Sequence, residues 1–225
     1  MIYELDPTFP GFPNPEEAEP DGLIAIGGDL SPERLIQAYI NGIFPWYSEG
    51  EPLLWWSLDP RMVLFPDEFL CSKSLRRVVN SHKFEVRIDT AFEQVMRGCA
   101  NALREGQEGT WITEEMVSAY MRLHQLGFAH SFETYFQGRL VGGLYGVSLG
   151  RFFFGESMFH TVTDASKVAF VRLVQFAQEH HFRLIDAQQE TLHLASLGAR
   201  PIPRRQFLSL LATLDPATTL RGRWK

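Results

Sequence analysis

The chain has 225 residues, of which 45% are hydrophobic and 13% aromatic, and it carries 21 Lys and Arg against 27 Asp and Glu. This is enough apolar material for one ordinary domain, or two small ones, with a hydrophobic core. No apolar run approaches the roughly 18 to 20 residues of a membrane span, and the N-terminus lacks the basic and then apolar segments of a signal peptide. We therefore expect a cytoplasmic protein with no membrane partner.

Charge and proline are distributed unevenly along the chain. The first 60 residues hold eleven carboxylates and a single base, Arg34, whereas the remainder holds twenty bases and sixteen carboxylates. Ten of the 13 prolines fall between Pro7 and Pro66. A joint shift of this kind is typical of a domain boundary. The sequence thus predicts a small Pro-rich, Trp-containing N-terminal domain over 1–62 and a second domain over 63–225.

Cysteine and histidine usage indicates neither a disulfide framework nor a metal site. Cys71 and Cys99 are too few for a framework and do not form a C-x-x-C motif, so we expect free thiols. The seven histidines are scattered, and the adjacent pair at 180–181 cannot share one face of a helix. We expect no bound metal.

The N-terminal region opens with a Pro-rich, acidic segment at 9–22, which is expected to be irregular. A helix should follow, because Ser31 is a good N-cap, Pro32 suits the first helical position and Gly42 can supply the left-handed residue after the last turn. Four aromatic residues then lie among turn-forming residues, at a density that indicates either a binding surface or an interface between domains. They are Trp46, Tyr47, Trp55 and Trp56.

Beyond residue 62 the pattern predicts alternating strands and helices. Strands are expected at 62–65, 84–88, 130–136, 139–149, 151–156 and 183–187, and helices at 72–80, from Thr90, at 113–126, from 163 or 164 to 181, and in a short segment ending at Gly198. Tight turns at Gln137-Gly138 and Leu149-Gly150 make three of the strands an antiparallel meander.

This order indicates an α+β protein in which helices flank a mixed sheet, after a small N-terminal α/β domain. It is similar to the acetyltransferase-like (GNAT-like) fold. That fold holds its pyrophosphate-containing donor at a glycine-rich turn before a helix, whereas the corresponding turn here, ESMFHTVTDASK, contains no glycine. Coenzyme A acetyl transfer is therefore disfavoured.

Three polar residues in otherwise apolar strands are candidates for chemistry. Glu156 ends the strand at 151–156, where a carboxylate is paired, at the rim of the sheet or functional. Regular alternation places Asp186 and Gln188 on the same side at the end of a later strand, where open sheets tend to carry sites. Ser157 lies in GESMF, but Phe159 replaces the final glycine of a nucleophile elbow, so we discount it.

A basic stripe lies at the start of the second domain. It comprises Lys73, Arg76, Arg77, Lys83 and Arg87. A group this small often forms only a solvated helix face. Beside exposed aromatic rings, however, it is suited to a single-stranded nucleic-acid end through phosphate contacts and stacking.

Ten short motifs in a fixed order resemble the bacterial leucyl/phenylalanyl-tRNA-protein transferase family over nearly the whole chain. They are GGDLS (27–31), GIFPWYSEG (42–50), LWWS (54–57), DPR (59–61), GTWIT (109–113), VGGLYG (141–146), GESMF (155–159), ASK (165–167), LIDAQ (184–188) and ASLGA (195–199). The resemblance implies an acetyltransferase-like catalytic domain that uses no coenzyme A.

The resemblance also implies a reaction. Leucine or phenylalanine, and less readily methionine, would be transferred from aminoacyl-tRNA to the N-terminal amine of proteins that begin with Lys or Arg, marking them for N-degron proteolysis. The partners are then Leu-tRNA, Phe-tRNA and such proteins. We expect a monomer without a cofactor.

Residue roles follow from the same resemblance. Asp186 and Gln188 match the catalytic pair, and Glu156 matches a residue at the reaction centre. The aminoacyl side-chain pocket corresponds to Leu144, Phe153, Met158 and Ile185. Stacking on the terminal adenosine and contacts to the aminoacyl bond are expected of Tyr39, Trp46, Trp111 and Tyr120. The acceptor stem of the tRNA is expected at Lys73, Arg76, Arg77 and Lys83.

Two departures and two alternatives remain. Leu58 stands where the family usually has proline, and Ala187 where cysteine is common, which affects packing rather than a functional group.

The chain could instead be a non-catalytic binder of aminoacyl-tRNA or N-degron peptides. It could also be a cell-wall type aminoacyltransferase, although such enzymes are typically longer and the Trp-rich N-terminal segment argues against this.

Overall fold

A computed structural model describes residues 2–102 and 110–225, so Gly109 of the GTWIT motif lies outside the described residues. The helices are α1 (Pro32–Ile40), α2 (Lys73–Asn80), α3 (Phe92–Ala100), α4 (Glu114–Gln125), α5 (Ala165–Glu179), α6 (Leu192–Ala195) and α7 (Arg204–Leu211). The strands are β1 (Tyr3–Leu5), β2 (Leu23–Gly27), β3 (Phe44–Pro45), β4 (Leu54–Trp56), β5 (Arg61–Leu64), β6 (Glu85–Ile88), β7 (Ala129–Phe136), β8 (Arg139–Leu149), β9 (Phe152–His160), β10 (Leu184–Gln188) and β11 (Arg200–Ile202).

The N-terminal strands form a four-stranded sheet in the order β1-β2-β4-β3. The sequence did not predict these short strands, although it did predict α1. The hydroxyl of Ser31 accepts the Arg34 N–H, Pro32 opens the helix, and Gly42 has a φ of 71° just beyond it. The segment at 9–22 is irregular apart from a single 3₁₀ turn at Pro15–Glu17.

The larger sheet has seven strands in the order β11-β5-β10-β9-β8-β7-β6. Strands β6 to β9 are antiparallel neighbours, which confirms the predicted meander. Strand β10 pairs in parallel with β9 and antiparallel with β5, so the sheet is mixed. The prediction of a mixed sheet flanked by helices is confirmed.

Helices cover both faces of this sheet, because its strands alternate between two apolar clusters. Phe152 and Phe154 of β9 belong to a cluster with α1, α3, α4 and α7, whereas Phe153 belongs to a cluster with α2 and α5. The first cluster also includes Trp55 and Ile24 of the four-stranded sheet. The two sheets therefore share one core.

Helix α3 is capped by a residue from another strand. Its N-cap, Ala91, offers no side-chain acceptor, and the buried carboxylate of Glu133 on β7 accepts the N–H groups of Thr90 and Ala91 instead. The hydroxyl of Ser131 also donates to Glu133. Burial raises the pKa of Glu133. This carboxylate has a structural role.

The C-terminal residues pack beneath the larger sheet. The ring of Trp224 stacks on His130 and Phe176, with centroids 3.6 and 4.3 Å apart, and lies 6.2 Å from that of Phe153. The Trp224 N–H donates to Asp89. Across the two described ranges, no helix is long and apolar enough to cross a membrane.

Candidate active site

A cavity of about 380 Å³ opens where two parallel strands separate. Strands β9 and β10 pair only as far as Phe154 and Asp186, and the residues that follow on both strands line the cavity. Strand β3 with Trp46, and Trp111 before α4, also contribute to the lining. Ligand sites of this kind commonly lie at the carboxyl ends of parallel strands.

One part of the cavity is apolar and contains all four residues expected to bind the aminoacyl side chain. These are Leu144, Phe153, Met158 and Ile185. Phe170 and Leu173 of α5 line the same part but were missed, since on a helix that is apolar nearly all round they look like ordinary core residues.

Glu156 lies within a strand rather than at its end. The sequence predicted a strand that stops at Glu156, whereas β9 continues to His160. Gly146 pairs with Gly155 and Tyr145 with Ser157, so Glu156 is the extra residue of a β-bulge. Bulges redirect a side chain. This one turns the carboxylate of Glu156 toward α1 and α4.

The Glu156 carboxylate is buried in a network of hydrogen bonds. Its Oε1 accepts the Tyr39 hydroxyl at 2.7 Å and the Gln188 Nε2 at 3.1 Å, and its Oε2 accepts the Tyr120 hydroxyl at 3.2 Å. The two tyrosine hydroxyls also bond to each other. Three contacts thus join the two tyrosine hydroxyls and the Glu156 carboxyl group. When Glu156 is ionised, the two hydroxyls supply only two protons, so all three contacts can be hydrogen bonds at once only when Glu156 is itself protonated.

Burial raises the pKa of Glu156 to about 7, and the negative charge of Asp186 acts in the same direction. The hydrogen bonds from Tyr39, Tyr120 and Gln188 oppose the shift. Burial also raises the pKa values of both tyrosines well above their usual range, so both keep their protons near neutral pH. Glu156 is therefore a group that can gain or lose a proton near pH 7.

Strand β10 is also irregular at the candidate catalytic pair. Its register against β5 shifts between Asp186 and Gln188, and Gln188 has a φ of 58°, in the left-handed region. The regular alternation that the sequence predicts for this strand is interrupted here. The two residues are joined instead by a hydrogen bond of 2.9 Å from the Gln188 N–H to Asp186 Oδ1.

The carboxylate of Asp186 is bound by Arg61. Arg61 Nε lies 2.9 Å from Oδ1 and Nη2 lies 2.7 Å from Oδ2, and both residues are fully buried. In the sequence, Arg61 stands out only as part of the DPR motif at 59–61. An arginine at the start of a strand gives no signal of a distant partner, so its role was missed.

The four aromatic residues expected around the adenosine divide into two pairs. Trp46 and Trp111 line the cavity and remain available for stacking. Tyr39 and Tyr120 are 0% exposed, and their hydroxyls bind Glu156. Neither ring has a face open to a ligand in this structure, so contacts of these two residues with the adenosine or the aminoacyl bond stay a prediction.

The Trp-rich N-terminal segment serves mainly as packing. Trp55 is fully buried and donates from Nε1 to the Gly27 carbonyl, while Trp56 donates to the carbonyl of Trp46. The Tyr47 hydroxyl bonds to Thr113 and Glu115. Of Trp46, Tyr47, Trp55 and Trp56, Trp46 is the one that lines the cavity, beside Phe44 of β3.

The basic residues are exposed and lie on the α5 side of the sheet. Lys73, Arg76 and Arg77 project from α2, which packs against α5. Lys83 follows, with its Nζ over the rings of Phe84 and Phe136. Within residues 2–102 and 110–225, none of the four basic residues forms a salt bridge with a carboxylate. Arg87 differs, since it pairs with Glu85.

The arrangement can exchange a proton and hold an apolar group, and it offers no cluster of metal ligands. Among the described residues no three His, Cys, Asp or Glu side chains are grouped so that they could hold a metal ion. Neither Cys71 nor Cys99 is in a disulfide. A carboxylate with a pKa near 7, an amide and an adjoining apolar pocket suit acyl transfer to an amine.

Comparisons with known proteins agree with this assignment. The family model "Leucyl/phenylalanyl-tRNA protein transferase" matches residues 63–212, and the model of that family's N-terminal domain matches 28–59. The chain is 58% identical over 223 residues to the leucyl/phenylalanyl-tRNA–protein transferase of Anaeromyxobacter sp. (strain Fw109-5), covering 99% of this chain and 94% of that protein. The corresponding protein of Desulfatibacillum aliphaticivorans is 57% identical over 223 residues, covering 99% and 95%.

Among solved structures, L-PGS from Bacillus licheniformis is similar with a TM-score of 0.41 and 11% identity, over 75% of this chain and 54% of that one. The two family models together span most of the chain, and the curated relatives match it from end to end. The chain belongs to the leucyl/phenylalanyl-tRNA–protein transferase family.

Proposed function

We propose that this aminoacyltransferase transfers leucine or phenylalanine, and less readily methionine, from tRNA to the N-terminal amine of proteins that begin with Lys or Arg. The product would be marked for N-degron proteolysis. The observation that carries the proposal is the cavity itself, which places an apolar pocket next to the buried Glu156 and Gln188. Membership of the family supports aminoacyl-tRNA as the donor substrate.

The chemistry requires little beyond positioning. The amine nitrogen forms a bond to the ester carbonyl carbon, the bond from that carbon to the ribose oxygen breaks, and the amine loses a proton while the departing oxygen gains one. Because the ester is already activated, neither coenzyme A nor a nucleophilic serine is needed. We therefore propose that the reaction uses no cofactor.

We assign the proton transfer to Glu156. With a pKa of about 7 it is ionised in part of the enzyme at neutral pH and can accept the proton of the amine. Gln188 donates from Nε2 to Glu156, which leaves its carbonyl oxygen to accept a hydrogen bond from the same amine. Asp186 acts through Gln188 rather than on the amine, because both its oxygens are bound to Arg61.

The apolar part of the cavity supports the choice of amino acid. It is lined by Leu144, Phe153, Met158 and Ile185 together with Phe170 and Leu173 of α5. Met158 is unbranched and adaptable, which suits a wall that accepts both Leu and Phe. A pocket of this kind discriminates by only about 10- to 200-fold per methylene group, so methionine should react more slowly rather than not at all.

The transfer assay tests the proposal. Purified protein is incubated with tRNA charged with Leu, Phe, Met or Val and with peptides that begin with Lys, Arg or Ala. Transfer of Leu and Phe to Lys and Arg peptides is expected, and the N-acetylated Arg peptide is the matched control without an amine. Binding without transfer would instead support the non-catalytic binder. A peptidoglycan precursor is added as a competing acceptor, and transfer to it in preference to the Arg peptide would support a cell-wall enzyme.

Reversing the charges of Arg76 and Arg77 should weaken tRNA binding on the order of tenfold. Each lost phosphate contact lowers the slope of log affinity against log salt by about 0.7 to 0.9, so the double variant Arg76→Glu/Arg77→Glu should lose roughly 1 to 2 units. Filter binding of Leu-tRNA from 50 to 200 mM salt measures both effects.

Arg205→Glu is the matched control for this test. It reverses one arginine, half the charge change of the double variant, at an exposed position on α7, which packs against the opposite face of the sheet from α2. If the double variant kept the wild-type salt slope, the α2 arginines would be an ordinary solvated helix face.

A further inference from the structure

We infer that Arg61 is a positioning residue of the transfer reaction, which holds Asp186 and, through it, the backbone that directs Gln188 toward Glu156. The inference rests on the aminoacyl transfer proposed above. It adds to the site a residue that contacts neither substrate, and it makes β5 and β3 part of the support of the reacting groups.

Arg61 contacts Asp186 directly. The guanidinium binds the carboxylate with two hydrogen bonds, Nε to Oδ1 at 2.9 Å and Nη2 to Oδ2 at 2.7 Å. Both residues are 0% exposed. A paired contact of this geometry fixes the carboxylate in orientation as well as position, which a single charge cannot do.

The Arg61 guanidinium is itself held in place by neighbouring residues. Its central carbon lies 4.7 Å from the ring centroid of Phe44 and 4.8 Å from that of Phe207. Its Nη1 lies 3.3 Å from the Gly42 carbonyl, to which it donates. Residues from β3, α7 and the turn after α1 therefore fix the position from which Arg61 binds Asp186.

Hydrogen bonds connect Asp186 to Gln188 and, through it, to Glu156. Asp186 Oδ1 accepts the Gln188 N–H at 2.9 Å, across the bulge that puts Gln188 in a left-handed conformation. A non-glycine residue adopts this conformation only when its surroundings favour it. From it the Gln188 side chain reaches Glu156 Oε1 at 3.1 Å. Loss of the Arg61 contact would free Asp186 and release this constraint.

Stability alone does not account for the pair. Two charges removed from water gain little net energy over apolar side chains of similar volume, and such replacements are often neutral or stabilising. An ion pair that sits one hydrogen bond away from Gln188 gains its value from the geometry it imposes.

Electrostatics supplies a readout that a purely structural residue would not affect. The charged and titratable groups around the Glu156 carboxyl are Tyr39 from α1, Tyr120 from α4 with Tyr145 of β8 against its ring, and Asp186 from β10. The Asp186 charge raises the pKa of Glu156. A cation bound to the Asp186 carboxylate is expected to counter that charge, because opposite charges offset each other at a third group. Removing Arg61 alone should move the acid limb of the rate profile to higher pH, and removing both charges should not.

The experiment compares Arg61→Lys, Arg61→Met and the double variant Arg61→Met/Asp186→Asn in the intact protein. For each, kcat and the KM for Leu-tRNA are measured with an Arg-initiated peptide from pH 5.5 to 9, together with the melting temperature. Arg200→Met is the matched control, since Arg200 lies on the neighbouring strand β11 and pairs with Glu68 at the surface.

We expect Arg61→Lys to lower kcat at least about tenfold with the KM for Leu-tRNA changed less than about threefold. Arg61→Met should raise the midpoint of the acid limb by at least about half a pH unit. The double variant should melt near the wild-type temperature, keep the tenfold or greater loss of kcat and show no rise of the acid limb. Arg200→Met should stay within about twofold of wild type.

The inference is overturned if Arg61→Lys and the double variant keep wild-type kcat, or if they lose only thermal stability. If Arg61→Met fails to fold, Arg61→Lys and the double variant still test the inference. A wild-type protein that transfers nothing would refute the proposed function, whereas active wild type with fully active Arg61 variants would refute this inference alone.

Discussion

Glu156→Gln is expected to lower kcat for aminoacyl transfer by about 10²- to 10⁴-fold, the range for a positioned acid-base group. Glutamine preserves the shape of the side chain and can still bond to Tyr39 and Tyr120, but it cannot accept the proton of the amine. The KM for Leu-tRNA should change little, because the apolar pocket is intact. Single-turnover transfer from labelled Leu-tRNA measures the loss.

The pH dependence separates Glu156 from the substrate. The wild-type rate should fall as the pH drops through about 7, because Glu156, with its pKa of about 7, becomes protonated and can no longer act as a base. An N-terminal amine titrates with a pKa of about 7.7 to 8.0 and must also be neutral. The wild-type log kcat/KM should thus approach a slope of 2 at low pH, and Glu156→Gln a slope of 1.

Glu133→Gln provides the matched control. Glu133 is also buried, also has a raised pKa and also accepts several hydrogen bonds, but it caps α3 and does not line the cavity. Its variant should transfer at close to the wild-type rate when assayed below its melting temperature. Equal losses in the two variants would mean that Glu156 contributes to folding rather than to proton transfer.

Asp186→Ala should differ from Gln188→Ala in stability although both lose at least about 10²-fold in rate. Asp186→Ala leaves the buried Arg61 guanidinium without its carboxylate, at a cost of about 3 to 5 kcal/mol. For a chain of this size that lowers the melting temperature by about 6 to 20 °C. Gln188→Ala removes no charge, so it should melt near wild type. Thermal unfolding with parallel rate measurements distinguishes the two variants.

Glu68→Ala controls for the loss of an ion pair as such. It breaks the exposed pair with Arg200, which should contribute little to stability because both side chains face solvent. A small fall in the melting temperature of Glu68→Ala, beside a large fall for Asp186→Ala, would show that the destabilisation depends on the burial of the ion pair. A wild-type melting temperature for Asp186→Ala would contradict the structural role of its pair with Arg61.

Much of the larger sheet could be predicted because its signals are local. The Ser31-Pro32 start of α1 and the two predicted turns depend on neighbouring residues. The structure has the helix start and the turn at Gln137-Gly138, and it has the second turn one residue later than predicted, at Gly150-Arg151. The strands of the four-stranded sheet escaped prediction because they are two to five residues long and form by pairing with distant segments. Such strands have no periodicity long enough to recognise.

The site was predicted in composition more than in geometry. Apolar residues such as Leu144 and Phe153 do meet in one pocket, and Glu156 does bond to Gln188. The two bulges could not be foreseen, since a bulge depends on the register between strands and not on the residues of one strand. Burial likewise decides whether Tyr39 stacks on a base or supports a carboxylate, and burial follows from packing across the whole fold.

The shared core described above links folding to substrate binding. The cavity takes its lining from β3 and Trp46 on one side and from β8, β9 and β10 of the larger sheet on the other. A donor bound there contacts both parts at once and binds only when both are folded. Saturating aminoacyl-tRNA should accordingly raise the unfolding free energy of the whole chain by RT ln(1 + [L]/Kd), about 2.7 kcal/mol at a hundredfold excess over Kd.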